Sequence, residues 1–183
     1  MKGRAVFLDR DGVLNEAHIR DGKPYPPSSV HELHVMEDAA DALGRLKDAG
    51  FRLFVVTNQP DVARGKTSRE AVEAINRRLC EALPIDDVFM CLHDDGDHCD
   101  CRKPKPGMIR AAAQREQIDL DASVMVGDRW RDIEAGRAAG CRTVLIGDGY
   151  AEGLRSPPDY RAPNLTTAAN WILDTVRADK REG

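Results

Sequence analysis

The chain has 183 residues, 42% hydrophobic and 32% charged, with a net charge of -4. That length suits one domain with a sizeable core, and no apolar run approaches the roughly 20 residues needed to span a bilayer. The mild acidity speaks against a nucleic-acid partner, which usually leaves a basic stripe, but leaves phosphorylated small molecules open because local charge decides those.

Met1 to Leu8 is too short, and too soon interrupted by Asp9, to serve as a signal peptide. A cytoplasmic location without disulfides is therefore expected. Arg4 to Leu8 (RAVFL) is an apolar run ending in a polar burst, the signature of a buried strand. Residues 20 to 31, with Gly22, Pro24, Pro26 and Pro27, read as a loop. From Met36 to Ala49 apolar residues recur at helical spacing, and Gly50 supplies the stop. Phe51 to Val56 is the second strand. Thr67 and Glu70 form a capping box for a helix that buries Val72, Ile75 and Leu79. Asp87 to Leu92 is the third strand, and Pro106 opens a helix to about Gln117. Ser123 to Val126 is the fourth strand, Asp132 to Ala139 a helix stopped by Gly140, and Thr143 to Ile146 the fifth strand. After a proline-rich stretch a last helix runs from about Thr167 to Val176, and the tail ADKREG is expected to fray.

Short strands without polar alternation, separated by helices, predict an α/β fold. The expectation is a single doubly wound three-layer domain over residues 1–183, with a mainly parallel five-stranded sheet. Ligands of such sheets bind at the carboxyl ends of the strands, so the chemistry is sought there.

The first strand runs directly into Asp9-Arg10-Asp11-Gly12. Two carboxylates displaced by two positions can divide roles, one attacking phosphorus and one managing protons, while Gly12 lets the chain turn. Alone, DxDG equally suits a solvated acidic turn. Thr57 and Asn58 end the second strand, where a hydroxyl and an amide can donate to phosphoryl oxygens, although a simple turn role fits them too. Asp128 ends the fourth strand and can complete a set of oxygen ligands for Mg²⁺ with Asp9. Asp132 either orients Asp128 or favours a helix N-terminus. Arg102-Lys103-Pro104-Lys105-Pro106 brings positive charge. Lys103 can grip a phosphoryl group, or both lysines are solvated.

In this order FLDRDGVLN, VVTNQ, CRKPKPGM and VGDRWRD resemble the four motifs of the haloacid dehalogenase superfamily of phosphatases, from Val6 to about Gly147. The resemblance implies Asp9 as nucleophile, Asp11 as general acid/base, and Thr57 and Lys103 as phosphoryl-binding residues. It implies Mg²⁺ held by Asp9, Asp128 and the backbone carbonyl of Asp11. It also implies that the first, second and fourth strands lie side by side. No insertion is long enough for a separate cap domain, which matches the capless branch.

Cys91-x-His93 and Cys99-x-Cys101 place three of the five cysteines and a histidine within eleven residues. Four such ligands with no open position suit structural, tetrahedral Zn²⁺, with Asp97 and His98 as competitors. A zinc-bound loop there would stiffen the approach to Arg102 and Lys103. The pattern narrows the resemblance to a zinc-containing branch that includes heptose-bisphosphate and histidinol-phosphate phosphatases. TNQPDVARGK and CRKPKPGM resemble the former, with Pro60-Asp61 in place of the usual Ser-Gly. The loop of five residues between His93 and Cys99 resembles the latter. Arg64 and Arg102 are the candidates for a second phosphate. A small phosphorylated sugar is the expected substrate and a monomer the expected state, with no nucleic acid and no membrane. Cys80 and Cys141 read as small buried residues. Trp130 packs either over the pocket mouth or in the core, and Trp171 in the core.

Overall fold

The computed structural model describes residues 2–20, 23–150 and 152–179. Its strands are β1 (Arg4–Leu8), β2 (His18–Arg20), β3 (Lys23–Tyr25), β4 (Phe51–Asn58), β5 (Asp87–Cys91), β6 (Val124–Gly127), β7 (Arg142–Ile146) and β8 (Tyr160–Ala162). Its helices are α1 (Ala39–Asp48), α2 (Arg69–Ala82), α3 (Gly107–Glu116), α4 (Trp130–Ala139) and α5 (Leu165–Asp179). Six strands form one sheet in the order β5-β4-β1-β6-β7-β8, and every pairing in it is parallel.

Both faces of that sheet are covered, which is why its strands lack polar alternation. Within β1 the alternation instead divides two cores. Val6 and Leu8 join the cluster under α1 and α5, with Leu43, Leu46, Ala168 and Ile172. Ala5 and Phe7 join the cluster under α3 and α4, with Met108, Ile109, Ala112 and Ala135. Fully burying one such large apolar side chain contributes about 1.5–3 kcal/mol.

The sheet has six strands, one more than the sequence predicts. The extra strand, β8, is three residues long and bounded by prolines, so it lacks an apolar run to announce it. A second departure is the antiparallel hairpin β2–β3, which begins at His18, just before the segment expected to be loop, and runs into it as far as Tyr25. α1 begins at Ala39 rather than Met36. Asp38 turns its carboxylate to α5 instead, accepting from the Thr166 amide (2.9 Å) and hydroxyl (3.1 Å). α2 is capped by Ser68, not Thr67, through the Ala71 amide at 3.1 Å. Residues 178–179 of the tail continue α5, and residues 180–183 lie outside the described ones. Cys141 is buried, but Cys80 is exposed on the outer face of α2. Trp171 is partly buried and stacks on Tyr160 at 5.2 Å between ring centroids.

β1 sits between β4 and β6, where the strand order departs in two directions. Asp9, Thr57 and Asp128 therefore emerge side by side at the carboxyl ends of adjacent strands.

Candidate active site

The Asp9 amide donates to Val126 O at 2.9 Å, which fixes the end of β1 against β6. The Asp9 side chain reaches the ammonium of Lys103, with Oδ1 to Nζ at 2.8 Å. The same ammonium bonds Asp132 Oδ1 at 2.6 Å. Lys103 is buried, and its main chain is bracketed by one side chain: Asn58 Nδ2 donates to Lys103 O, and Lys103 N donates to Asn58 Oδ1, both at 3.0 Å. Asn58 lines the cleft, yet both ends of its amide are committed to holding Lys103 in place. Thr57 is buried beneath it and accepts from Gln59 Nε2 at 2.9 Å. That bond leaves the Thr57 hydroxyl proton available for donation.

Asp11 is surrounded by donors. Asn15 Nδ2 reaches Oδ1 at 3.0 Å and Gln59 Nε2 reaches Oδ2 at 2.8 Å. Arg10 forms an ion pair with Oδ2 at 3.0 Å. Arg10 has no exposed surface at all, and its other arm donates to Asn76 Oδ1 on α2 at 2.9 Å. A guanidinium so buried needs polar partners, and Asp11 and Asn76 supply them. The chain turns at Gly12, whose φ of +86° suits glycine. A Cβ at that position would lie 1.9 Å from Asp128 Oδ2.

Asp128 and Asp132 complete the centre. One carboxylate oxygen from each of Asp9, Asp128 and Asp132 lies within 4.8 Å of the others. Asp132 Oδ2 accepts the Arg129 amide at 3.0 Å, so Asp132 both caps α4 and pairs with Lys103. Asp128 accepts from the Tyr150 hydroxyl on Oδ2 at 2.7 Å, while its Oδ1 is buried without a partner. Burial, then the charges of Asp9 and Asp132, holds the Asp128 carboxyl well above its ordinary range. Burial also pushes Asp9 up to about 6, with Asp132 reinforcing the rise and Lys103 opposing it. Burial works against the Lys103 ammonium, but Asp132 and Asp9 outweigh it and hold its pKa above its ordinary value. Burial and the Asp128 charge raise the Tyr150 phenol, which therefore acts as donor. Three carboxylates facing one ammonium, with one orphaned oxygen, make a site short of positive charge. A hard divalent cation on Asp9 and Asp128 fits that donor set.

A cleft of about 320 Å³ opens above this centre. Asp9, Asp11, Asn58 and Lys103 lie along it, with Tyr25 from the hairpin at one side. Arg64, Arg102, Arg129 and Arg131 line its walls. Acidic residues organise the arginines. Arg64 binds Asp94 through two bonds of 2.9 and 2.6 Å, which holds the Asp94 carboxyl down at about 2. Asp95 takes Arg102 at 2.8 Å and Arg131 at 3.4 Å. Arg129 pairs with Glu152. Trp130 lies outside the cleft lining, with the guanidiniums of Arg155 and Arg131 at 3.6 and 4.9 Å from its ring centroid.

Arg10, Gln59, Arg129, Arg131 and Tyr150 were not anticipated from sequence. Only Arg129 and Arg131 carried a signal, as an Arg-x-Arg pair directly after Gly-Asp in VGDRWRD.

The cysteine loop converges as well. Cys91 Sγ lies 3.7 Å from Cys99 Sγ and 3.1 Å from Cys101 Sγ, and Cys99 lies 3.5 Å from Cys101. His93 Nδ1 lies 3.6 Å from Cys91 Sγ and 3.3 Å from Cys101 Sγ. Bonds of about 2.3 Å to sulfur give a tetrahedron with edges near 3.8 Å, so the quartet fits zinc. Asp97 instead caps the short turn that follows Asp94, accepting the Asp94 amide at 2.7 Å.

Comparison with known proteins agrees with this geometry. The chain is 36% identical to the D-glycero-D-manno-heptose-1,7-bisphosphate 7-phosphatase of Thermosynechococcus vestitus, over 92% of this chain and 94% of that protein. It is 34% identical to the D-glycero-beta-D-manno-heptose-1,7-bisphosphate 7-phosphatase of Escherichia coli K12, over 94% of this chain and 89% of that protein. The crystal structure of D,D-heptose 1,7-bisphosphate phosphatase from B. bronchiseptica, complexed with magnesium and phosphate, matches with a TM-score of 0.82 at 32% identity. That match covers 94% of this chain and 99% of the other. Residues 27–140 match the haloacid dehalogenase-like hydrolase family, and the chain belongs to it.

Proposed function

We propose that this chain is a magnesium-dependent phosphatase that removes the 7-phosphate of D-glycero-D-manno-heptose 1,7-bisphosphate through an aspartyl-phosphate on Asp9. The observation that carries the reading is the convergence of Asp9, Asp11 and Asp128, beyond the ends of adjacent strands, with Lys103 from the loop before α3, beneath a cleft walled by four arginines. A second phosphate needs such walls. The names of the relatives supply the sugar.

In this reading an Asp9 carboxylate oxygen attacks phosphorus in line, forming an acyl phosphate as the bond from phosphorus to the sugar oxygen breaks. Asp11 gives its proton to that leaving oxygen, then takes one from a water whose oxygen attacks the aspartyl-phosphate. Inorganic phosphate leaves and Asp9 is restored. Lys103 and the Thr57 hydroxyl hold the equatorial oxygens, so the protein's work is mainly placement and charge stabilisation. Magnesium, when bound by Asp9, Asp128 and the Asp11 carbonyl, neutralises charge on the transferring group. Asp132 keeps Lys103 in position. Arg64 and Arg102, with Arg129 and Arg131, receive the phosphate that stays on the sugar. Zinc on Cys91, His93, Cys99 and Cys101 would fix the loop that carries Asp94, Asp95 and Arg102. No described helix is long and apolar enough to cross a membrane.

The test is phosphate release with Mg²⁺ from heptose 1,7-bisphosphate and from histidinol phosphate. Preference for the bisphosphate, with the 1-phosphate retained, is the expected result. Preference for histidinol phosphate would mean that the short zinc loop is the better guide to substrate.

Two further results are expected. Asp9 holds a proton up to about pH 6 in the absence of metal. Magnesium must displace it, so affinity should fall as pH drops through that value, by about tenfold per unit for one proton. Calorimetry near pH 6 should also show proton release on binding; an affinity that stays flat through this range would contradict the assignment. For the loop, the double variant Cys99→Ser/Cys101→Ser should lose stoichiometric zinc, melt at lower temperature and raise KM for the bisphosphate. An unchanged KM in the zinc-depleted variant would separate the loop from substrate binding.

A further inference from the structure

We infer that the loop following β7 sets the geometry of the acidic centre, with Tyr150 as a positioning residue that aims Asp128 at the magnesium ion. The inference rests on the reading of Asp9 and Asp128 as cation ligands. Three segments meet at one point. The turn after β1 brings Gly12 so close that a methyl there would lie 1.9 Å from Asp128 Oδ2 and 3.1 Å from the Tyr150 hydroxyl. The end of β6 delivers Asp128, and the loop after β7 delivers Tyr150. Gly149, with φ of +71°, turns the chain immediately before Tyr150.

A carboxylate has two oxygens, and a free one rotates between roles. Here the Tyr150 hydroxyl donates to Oδ2 at 2.7 Å, and the Gly12 backbone closes in on that same oxygen. Oδ1 is then the oxygen left over: it is buried and has no hydrogen-bond partner among the described residues. The hydrogen bond thus chooses which oxygen is presented to the cation and removes the freedom that binding would otherwise have to remove. A partner on a ligating carboxylate commonly contributes 10–100-fold in metal affinity.

The same loop reaches the substrate side. Glu152, two residues further on, pairs with Arg129, its Oε2 lying 3.1 Å from Nε. Arg129 follows Asp128 in sequence and lines the cleft wall. One short segment therefore holds two consecutive residues of the VGDRWRD motif, one facing the cation and one facing the substrate.

Magnesium affinity is the readout, measured by calorimetry on the full chain, with thermal midpoints in chelator as the control for folding. Tyr150→Phe keeps the ring and removes only the hydroxyl. It should weaken magnesium about tenfold or more, raise the magnesium concentration for half-maximal phosphate release by the same factor, and leave the metal-free midpoint near that of the parent. Glu152→Gln should raise KM for the bisphosphate without altering magnesium affinity. A Tyr150→Phe protein that binds magnesium like the parent, or that only melts lower, would overturn the inference. Asp128→Asn separates this from failure of the underlying reading. If Asp128→Asn loses magnesium while Tyr150→Phe does not, only the role of Tyr150 is wrong. If Asp128→Asn binds magnesium normally, the cation site lies elsewhere and both fall.

Discussion

Asp9→Asn is expected to abolish phosphate release while leaving a folded protein. The amide keeps the size of the carboxyl but lacks the charge and nucleophilicity needed to attack phosphorus. Loss of a nucleophile that works as part of a unit typically lowers kcat by at least about a thousandfold. Stability should not fall with it. Burial, reinforced by Asp132 and opposed by Lys103, pushes the Asp9 carboxyl up to about 6. Replacing it removes a charge that burial disfavours, and Lys103 retains Asp132 at 2.6 Å. The metal-free midpoint should therefore equal or exceed that of the parent, and magnesium should raise it less. A variant that keeps a substantial share of its turnover would exclude Asp9 as nucleophile. A variant that loses activity by unfolding would leave the assignment without support from this substitution.

Lys103→Met should be the most destabilising change at the site. The lysine is the one ammonium bonded to both Asp9 and Asp132, and all three side chains are nearly inaccessible. Removing one partner from a buried ionic group typically costs about 3–5 kcal/mol. For a chain of this size that corresponds to a drop of roughly 10 °C in the midpoint. The pH dependence gives the loss a signature. Without Lys103, which opposes the rise at Asp9 and Asp128, those two carboxyls are raised further above their unfolded values. A carboxyl raised in the folded state contributes stability below its unfolded pKa and loses it as pH rises through the folded one. The deficit should thus grow as pH rises above about 6, the value to which Asp9 is already raised, and magnesium should restore part of it by supplying positive charge to Asp9 and Asp128. A deficit independent of pH would mark a packing defect instead. Catalysis should fall as well, since the ammonium that would hold the phosphoryl oxygens is gone.

Much of the site could be read before the fold was known because parallel strands buried on both faces are continuous apolar runs with a polar break at the end. RAVFL breaks at Asp9, FRLFVV at Thr57 and VMVG at Asp128, so the strand ends and the residues beyond them coincide. The Cys/His quartet proposed to hold zinc is visible for a different reason: its members are close in sequence and chemically distinctive. Pairings across distance were not. An arginine between two aspartates reads as a surface charge, and nothing local shows that Arg10 reaches Asn76, which lies 66 residues away, on α2. Arg64 reads as a candidate phosphate ligand, and nothing local shows its acidic partner Asp94, 30 residues on. At a strand end Asn58 reads either as a donor to phosphoryl oxygens or as a turn residue, whereas its amide holds the Lys103 backbone. Cys80 follows Leu79 on α2, but a helix turns by about 100° per residue. Leu79 therefore faces the core while Cys80 faces outward. Tyr150 stands in a glycine-rich loop where sequence offers no periodicity, and only the fold brings it to Asp128.

The most direct test of the account is to look for the covalent intermediate. Asp11→Asn removes the group assigned to activate water, so this variant, mixed with heptose 1,7-bisphosphate and magnesium and then acid-quenched, should accumulate phosphorylated enzyme. Peptide mass spectrometry should find one added phosphoryl group on the fragment containing Asp9, and none when Asp9 is also replaced by Asn. A phosphoryl group on any other residue, or steady turnover by the Asp11→Asn protein with no modified peptide, would contradict the proposal that Asp9 carries the reaction.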